Sequence, residues 1–376
     1  MTGTAQVTLE GLGDMRRSHT CGELTRAHAG ITATLMGWVH RSRDHGGVLF
    51  VDLRDRHGIT QVVFRPEVGG KAVLARAAML GNEWVIAVRG DVAPRPAESV
   101  NPELPTGEVE LEVRELRILA AAAPLPFQVN EDLHLANEDL RLRYRYLDLR
   151  RPELAAMLAL RHRAAQAARA HLSGQGFLEI ETPMLVKPTP EGARDYVVPS
   201  RVHPGKFYAL PQSPQLYKQT LMIAGMDRYF QFARCLRDED LRADRQPEHT
   251  QIDLEMSFVT EEDVFAAVEG LFVALWKDCL GVEVPRPFPR MTFREAMSRY
   301  GSDKPDLRFG LEFVDVTALC ARSPLNVVAK GAQREDGVGV ALVIPGGATA
   351  VSGTQLRKYE DVVKGAGGGG LTFFKV

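Results

Sequence analysis

The chain has 376 residues with 46 basic and 48 acidic side chains, a net charge of −2 and 45% hydrophobic content, enough for two or three domains with a substantial core. So even a balance excludes a global field aimed at a polyanion, and any nucleic-acid contact has to come from local patches. No stretch reaches the roughly 18 apolar residues of a membrane helix, the N-terminal residues show no charged start followed by an apolar run, and Cys21, Cys235, Cys279 and Cys320 form no CxxC pair; this predicts a cytoplasmic protein with reduced thiols, no zinc or iron–sulfur centre and no membrane association.

After a polar lead-in over 1–18, the segment from Ile31 to Leu119 alternates in short runs: ITATLMGWVHRSR, VLFVDLRDR, GITQVVFRP, EWVIAVRGDV and VELEVRELRIL. Five strands with a helical run, KAVLARAAML, between the third and fourth predict a Greek-key barrel of the oligonucleotide-binding (OB) type over 1–119. Gly46 and Gly47 mark the first turn. Arg41, Arg43, Asp44, His45, Phe50, Asp52, Arg54 and Gln61 give this barrel basic groups interleaved with an aromatic, a pattern that suits single-stranded nucleotides. The competing reading places Phe50 and Val48 in the barrel core and makes the arginines ordinary surface charge.

Residues 120–140 read as an alanine- and proline-rich linker ending in polar text, with room for a short helix. A long amphipathic helix follows, with Met157, Leu158, Leu160, Ala164, Ala165, Ala168 and Leu172 at helical spacing and an end near Gly174 and Gly176. FLEIETPML predicts a short strand stopped at Pro183, and KPTPEGARDY a charged loop able to act as a lid, with Glu191, Arg194 and Asp195 as its polar groups. YVVPSR and KFYALPQ predict a strand pair. A helix then starts near Pro214, capped by Ser213, with Leu216, Leu221 and Met222 on its buried side and Gln215 and Lys218 on one face. A lysine near a helix start is electrostatically odd unless an anion joins it; an ordinary surface lysine is the alternative.

The stretch Tyr229–Phe258 predicts two antiparallel strands around a hinge that carries Arg237, Asp238, Glu239, Asp240, Arg242, Asp244, Arg245 and Glu248. Guanidinium forks match phosphate and carboxylate oxygens in pairs, so the hinge is either a ligand site or a salt-bridged surface hairpin. Alternation puts Asp253 on one face with Gln251 and Glu255, opposite Ile252 and Leu254, and an inward carboxylate needs a cation, for which Lys218 is a candidate. EEDVFAAVEGLFVALWKDCLG predicts an amphipathic helix with an acidic start. A proline-rich strand entry, a short helix and a GSDKPD turn come next. From residue 312 the chain predicts alternating strands (NVVAKGA, GVALVIPGGA, LTFFKV), one helix from Thr354, and a GAGGGG tip that lacks the phosphate-loop GxxxxGK[ST] pattern. The chain has no GxSxG or HExxH motif either.

Several blocks together resemble the bacterial-type aspartyl-tRNA synthetases, a class II family: GWVHRSRDHGGVLFVDLRDR, RYLDLR, FLEIETPML with Pro183 (motif 1), TPEGARDY, QSPQLYKQ, FARCLRDEDLRADRQPEHTQID (motif 2) and YGSDKPDLRFGL. The resemblance implies an α+β chain with an all-β anticodon-binding domain (1–119), a linker (120–140), a class II catalytic domain on an antiparallel sheet (141–311) and part of an α/β inserted domain (312–376). It implies ligation of L-aspartate to tRNA-Asp through an aspartyl-adenylate, with ATP and Mg2+, in a homodimer formed through motif 1. Arg237 would be the catalytic arginine, and Arg237, Glu239, Gln246 and His249 would bind ATP. Glu191, Ser213, Gln215, Lys218 and Asp253 would bind aspartate. Arg41, Arg43, Phe50 and Gln61 would read the anticodon.

Three positions depart from the family pattern. His249 replaces a phenylalanine that stacks on adenine, and Leu236 replaces a phenylalanine beside Arg237. His45 replaces a leucine, as in relatives that charge both tRNA-Asp and tRNA-Asn, which keeps that wider specificity as an alternative. The motif 3 arginine, the acids that hold Mg2+ and the arginine that completes aspartate recognition find no counterpart here, so no metal ligand is expected in these residues and the chain by itself is expected to be inactive. A non-catalytic RNA-binding or dimerising paralogue is the alternative of a different class; an aspartate–ammonia ligase would not need the barrel.

Overall fold

The computed structural model describes residues 7–130, 135–189, 191–240, 245–368 and 371–374. The expectations for Arg242 and Asp244, for Pro190, and for the ends of GAGGGG and LTFFKV lie outside the described residues. The chain divides into two compact units, Met1–Val284 and Pro285–Val376.

The first unit opens with β1 (Thr32–His45), β2 (Val48–Asp55), β3 (Gly58–Phe64), α1 (Pro66–Ala77), β4 (Val85–Pro94) and β5 (Val109–Ala120). The strands close a barrel in the order β1-β2-β3-β5-β4, all neighbours antiparallel except β3 and β5. Period-2 alternation builds its core: Leu35, Val51, Leu53, Val62, Phe64, Ile86, Val88, Leu111, Val113 and Ile118 point inward. Leu49, Val51 and Leu53 take the inward positions of β2, which leaves half-buried Phe50 on the outer face and overturns its reading as core. Gly46 and Gly47 both have left-handed φ, +61° and +87°, as a two-residue hairpin turn requires. The helix starts five residues earlier than KAVLARAAML suggests, because Pro66 sets its first turn and Gly70 kinks it.

Glu83 anchors the barrel to the chain that follows. It is 4% exposed, adopts φ +63°, and accepts from Arg54 at 2.8 Å and Arg150 at 2.7 Å. Arg150 also lies over the Trp38 ring at 5.3 Å. Arg54 donates to Nδ1 of His40 at 2.8 Å, so that nitrogen is an acceptor and the ring is neutral; burial, then the Arg54 charge, holds the His40 pKa low.

Beyond the linker come α2 (Glu138–Arg143), α3 (Arg145–Asp148) and α4 (Pro152–Gly174). Asp148 is fully buried and draws in Arg141 and Arg145, each at 3.1 Å, so of the two arginines of RYLDLR Arg145 serves Asp148 and Arg150 serves Glu83. Then follow β6 (Leu178–Glu179), β7 (Val197–Pro199), β8 (Phe207–Ala209), α5 (Gln215–Ile223), β9 (Arg228–Leu236), β10 (Glu248–Met256) and α6 (Glu261–Leu280). The sheet β10-β9-β6 sends Phe230, Phe232, Ile252, Leu254 and Met256 onto Ala168 and Leu172 of α4 and Ala267 and Leu271 of α6. The motif 1 strand is shorter than expected: only Leu178 and Glu179 pair, parallel to β9, since the strand has one neighbour and turns away before Pro183. Pro214, not Ser213, is the N-cap of α5, and Leu216 is exposed rather than buried.

The second unit contains α7 (Phe293–Tyr300), β11 (Phe313–Asp315), α8 (Thr317–Ala321), α9 (Asn326–Ala332), β12 (Val340–Leu342), α10 (Gly347–Ala350) and α11 (Gly353–Gly365). NVVAKGA is helical, against the expected strand: Val328, Ala329 and Ala332 align on one helical face, and Ala329 is buried. Neither the proline-rich segment 285–291 nor 371–374 forms a strand. No helix among the described residues is long and apolar enough to cross a membrane.

Replacing Glu83 by Gln removes one charge from between two arginines. Breaking a buried ion pair costs about 3–5 kcal/mol; with Arg150 27% exposed, a loss of about 2–3 kcal/mol is expected, measured by urea unfolding.

Candidate functional site

β9 and β10 pair in a register that places Gln231 opposite Asp253 and Tyr229 opposite Glu255. Because side chains alternate, these four residues share the face turned away from α4 and α6. Lys218, from the first turn of α5, reaches this face: its Nζ lies 2.8 Å from Asp253 Oδ1 and 3.2 Å from Glu255 Oε2. Burial alone would lower the Lys218 pKa, but the hydrogen bonds and charges of Asp253 and Glu255 outweigh it and hold it above the ordinary lysine value. The ammonium therefore stays charged through neutral pH. Glu255 was not singled out from the sequence as a partner of Lys218, although the alternation that turned Asp253 inward turns Glu255 inward too.

The loop between the strands begins with Arg237, whose backbone N–H donates to Pro247 O at 2.8 Å and closes the hairpin. Its side chain makes a single long bond, Nε to Gln212 O at 3.4 Å, and no ion pair among the described residues. Arg237, Glu239, Asp240, Arg245, Gln246, Pro247 and His249 line one cleft. An arginine left without a carboxylate in a cleft with a second arginine suits an anionic ligand such as a phosphate.

The charged loop before β7 is tied to this region. Glu191 accepts from Ser213 Oγ at 2.6 Å, and Ser213 Oγ accepts from Gln215 N at 3.2 Å. Buried Gln212 donates to Ala193 O at 3.0 Å and Asp195 Oδ1 at 2.6 Å, and Asp238 N donates to Arg194 O at 3.1 Å. The loop, the start of α5 and the hinge thus form one surface bearing Glu191, Ser213, Gln215 and Arg237. Among the described residues no cluster of three or more His, Cys, Asp or Glu side chains is placed to hold a metal ion.

The barrel carries a second polar surface. Register sets Arg43 opposite Phe50, and both Arg41 and Gln61 opposite Asp52. Arg43 pairs with both oxygens of Asp52 at 3.1 and 3.2 Å, and exposed His45 meets the Phe50 ring edge-on at 6.3 Å. Gln61 is held by Glu110 at 3.0 Å, with Arg65 on the other carboxylate oxygen. Arg95 escaped the sequence reading. It is 9% exposed, Nε donates to Val109 O, and Nη2 is buried with no partner among the described residues. Burial, partly offset by Glu110 and Asp52, lowers its pKa. The available signal was an arginine between two prolines at the end of a strand, with Glu110 at the start of the next.

The barrel and the two-faced sheet define a class of protein. Residues 33–119 match the OB-fold nucleic acid binding domain, and residues 137–358 match the family described as tRNA synthetases class II (D, K and N). This chain belongs to that class II tRNA synthetase family. The aspartate–tRNA(Asp/Asn) ligase of Moorella thermoacetica is 54% identical over 373 residues, covering 98% of this chain and 61% of the relative. The aspartate–tRNA ligase of Shouchella clausii is 52% identical over 362 residues, covering 96% and 61%. The structure of asparaginyl-tRNA synthetase from Pyrococcus horikoshii complexed with asparaginyl-adenylate aligns with TM-score 0.63 and 27% identity over 71% of this chain and 59% of that one. The chain spans about 60% of the length of these curated relatives.

Lys218→Leu leaves Asp253 and Glu255 facing each other without a cation. The side chains keep between 10% and 28% of their exposure, so the expected loss is about 2–3 kcal/mol, below that of a sealed pair. Since the Lys218 pKa is raised on folding, this contribution is complete below the unfolded lysine value and disappears as pH rises through the folded one. Urea melts of wild type and variant should differ at neutral pH and converge in strong alkali.

Proposed function

We propose that this chain carries the anticodon-binding barrel (1–119) and, within 141–311, the motif 1 and motif 2 half of the active site of an aspartate–tRNA ligase, with 312–376 belonging to an inserted domain. The observation that carries this reading is Lys218, a cation held by two carboxylates on the polar face of the hairpin whose loop presents Arg237. The similarity to aspartate–tRNA ligases supports the same substrate class.

On this reading a carboxylate oxygen of aspartate attacks the α-phosphorus of ATP, pyrophosphate leaves, and the aspartyl group moves to the terminal adenosine of the tRNA. Arg237 pairs with the α-phosphate and neutralises charge that grows at phosphorus. Glu239 and Gln246 face ATP from the loop, and His249 stacks on adenine with less area than a phenyl ring. Glu191, held by Ser213, takes the substrate ammonium, with Gln215 beside it. Lys218 meets the substrate β-carboxylate while Asp253 orients it. Mg2+, when bound with ATP, would screen the phosphates; among the described residues no cluster is placed to hold it.

In the barrel, Phe50 stacks on an anticodon base, and Arg41, Arg43, Gln61 and Arg95 meet polar edges or phosphates. A homodimer through the motif 1 segment and a cytoplasmic location belong to the same proposal. A second reading, in which both tRNA-Asp and tRNA-Asn are charged, is favoured by His45 beside Phe50 and by relatives named for both tRNAs.

The deciding experiment is aminoacylation by the complete gene product with tRNA-Asp and tRNA-Asn transcripts side by side. Charging of the first alone dismisses the wider specificity, and charging of neither, without aspartate-dependent pyrophosphate exchange, favours the non-catalytic paralogue. The 376-residue chain alone is expected to show no exchange. Phe50→Ala should weaken tRNA binding by about 5- to 150-fold, the worth of one stacked base, and leave pyrophosphate exchange unchanged.

A further inference from the structure

The outer face of the barrel sets one amide between two carboxylates. Gln61 in β3 stands opposite Asp52 in β2; on its other side β5 runs parallel, with Leu111 beside Val62, which brings Glu110 next to Gln61. A glutamine amide has a donating end and an accepting end, and a free one turns either to a ligand. Here the neighbours make the choice. Arg43 occupies both oxygens of Asp52, at 3.1 and 3.2 Å. Glu110 gives Oε1 to Arg65 Nη2 at 3.2 Å, while its Oε2 accepts from Gln61 Nε2 at 3.0 Å.

Gln61 and Glu110 are both buried. With the amide turned over, Gln61 Oε1 would face a carboxylate oxygen, two acceptors with no proton between them, at a depth where water does not supply the missing donor. Arg65 keeps Glu110 in place, and its Nε lies 3.3 Å from Glu112 on the same face of β5. Gln61 Oε1 takes no hydrogen bond among the described residues. Because the amide is planar, this oxygen points away from Glu110.

We propose that Glu110, anchored by Arg65, is a positioning residue that locks the Gln61 amide with its carbonyl oxygen toward the ligand, so that Gln61 accepts from an N–H on the edge of one anticodon base and selects that base. The inference rests on the reading of this barrel face as the anticodon-binding surface. It assigns Gln61 to a base edge and not to the phosphate backbone, because phosphate oxygens only accept and do not match a carbonyl oxygen.

The test is charging, by the complete gene product, of tRNA-Asp transcripts left unaltered or with each anticodon base replaced in turn; the ratio of kcat/KM values gives the discrimination at each position. Gln61→Leu removes the amide and should lose about tenfold of discrimination at one position, the upper worth of one hydrogen bond. Glu110→Gln keeps the shape but meets either end of the Gln61 amide, and should lose a similar factor at that same position, with the other two positions and aspartate-dependent pyrophosphate exchange unchanged. The double variant should lose no more than Gln61→Leu alone. If Glu110→Gln does not fold, Arg65→Met takes its place: it removes the anchor, keeps the acceptor, and should lose about two- to threefold at that position. A loss for Gln61→Leu, with the Glu110 and Arg65 variants keeping the wild-type ratios or losing discrimination alike at every position, overturns the clamp only. Wild-type ratios for Gln61→Leu at every position overturn the anticodon reading of Gln61 and the clamp with it, as does a wild-type enzyme that charges no transcript.

Discussion

The register of the β9–β10 ladder is the constraint on which the rest depends. Ile252 opposite Phe232 and Leu254 opposite Phe230 give α4 and α6 an apolar face to cover. A one-residue slip of β10 would drive Asp253 and Glu255 into that core and turn Ile252 and Leu254 to the cleft. The same register sets two carboxylates side by side on the other face, and only a cation from another element relieves their repulsion. The fold of the hairpin and the placing of Lys218 are one event.

Buried charge recurs in the first unit, with different degrees of completion. Asp148 is enclosed by arginines, and Glu83 holds two more. These are structural joints, their acceptors filled by guanidinium donors. Around Lys218 and at the barrel surface the accounting does not close: Asp253 Oδ2 and Arg95 Nη2 are buried without partners among the described residues. Polar atoms left unpaired at depth cost stability, and they sit on the two surfaces that the proposed function needs.

Much of this was legible in the sequence because strands write themselves with period 2. The barrel strands, the two-faced hairpin and the inward turn of Asp253 follow from that alternation alone. Lys218 could be named as a candidate partner of Asp253 because an inward carboxylate needs a cation, and the pair forms; that Glu255 joins it, or that Glu110 rather than solvent holds Gln61, depends on packing that no local pattern encodes. Short elements also escaped. Leu178–Glu179 reads as a longer strand because its apolar residues continue, but its one neighbouring strand does not hold the chain as far as Thr182, whose hydroxyl bonds a side chain instead. NVVAKGA carries two β-branched valines, and the helical face it shares with α8 outweighs their preference.

The charge on the site says what kind of selectivity it can supply. One ammonium between two carboxylates leaves a net charge of −1 around Lys218. A substrate carboxylate arriving there adds a further negative charge, so favourable binding needs a second cation besides Lys218. A neutral amide would meet no such repulsion, since its oxygen suits the ammonium and its NH2 the carboxylates. On the proposed reading the Lys218 cluster therefore orients the side chain of a four-carbon amino acid without settling whether it ends in a carboxylate or an amide. Discrimination then falls to an additional positive charge facing Lys218 across the substrate, worth several kcal/mol once water is excluded.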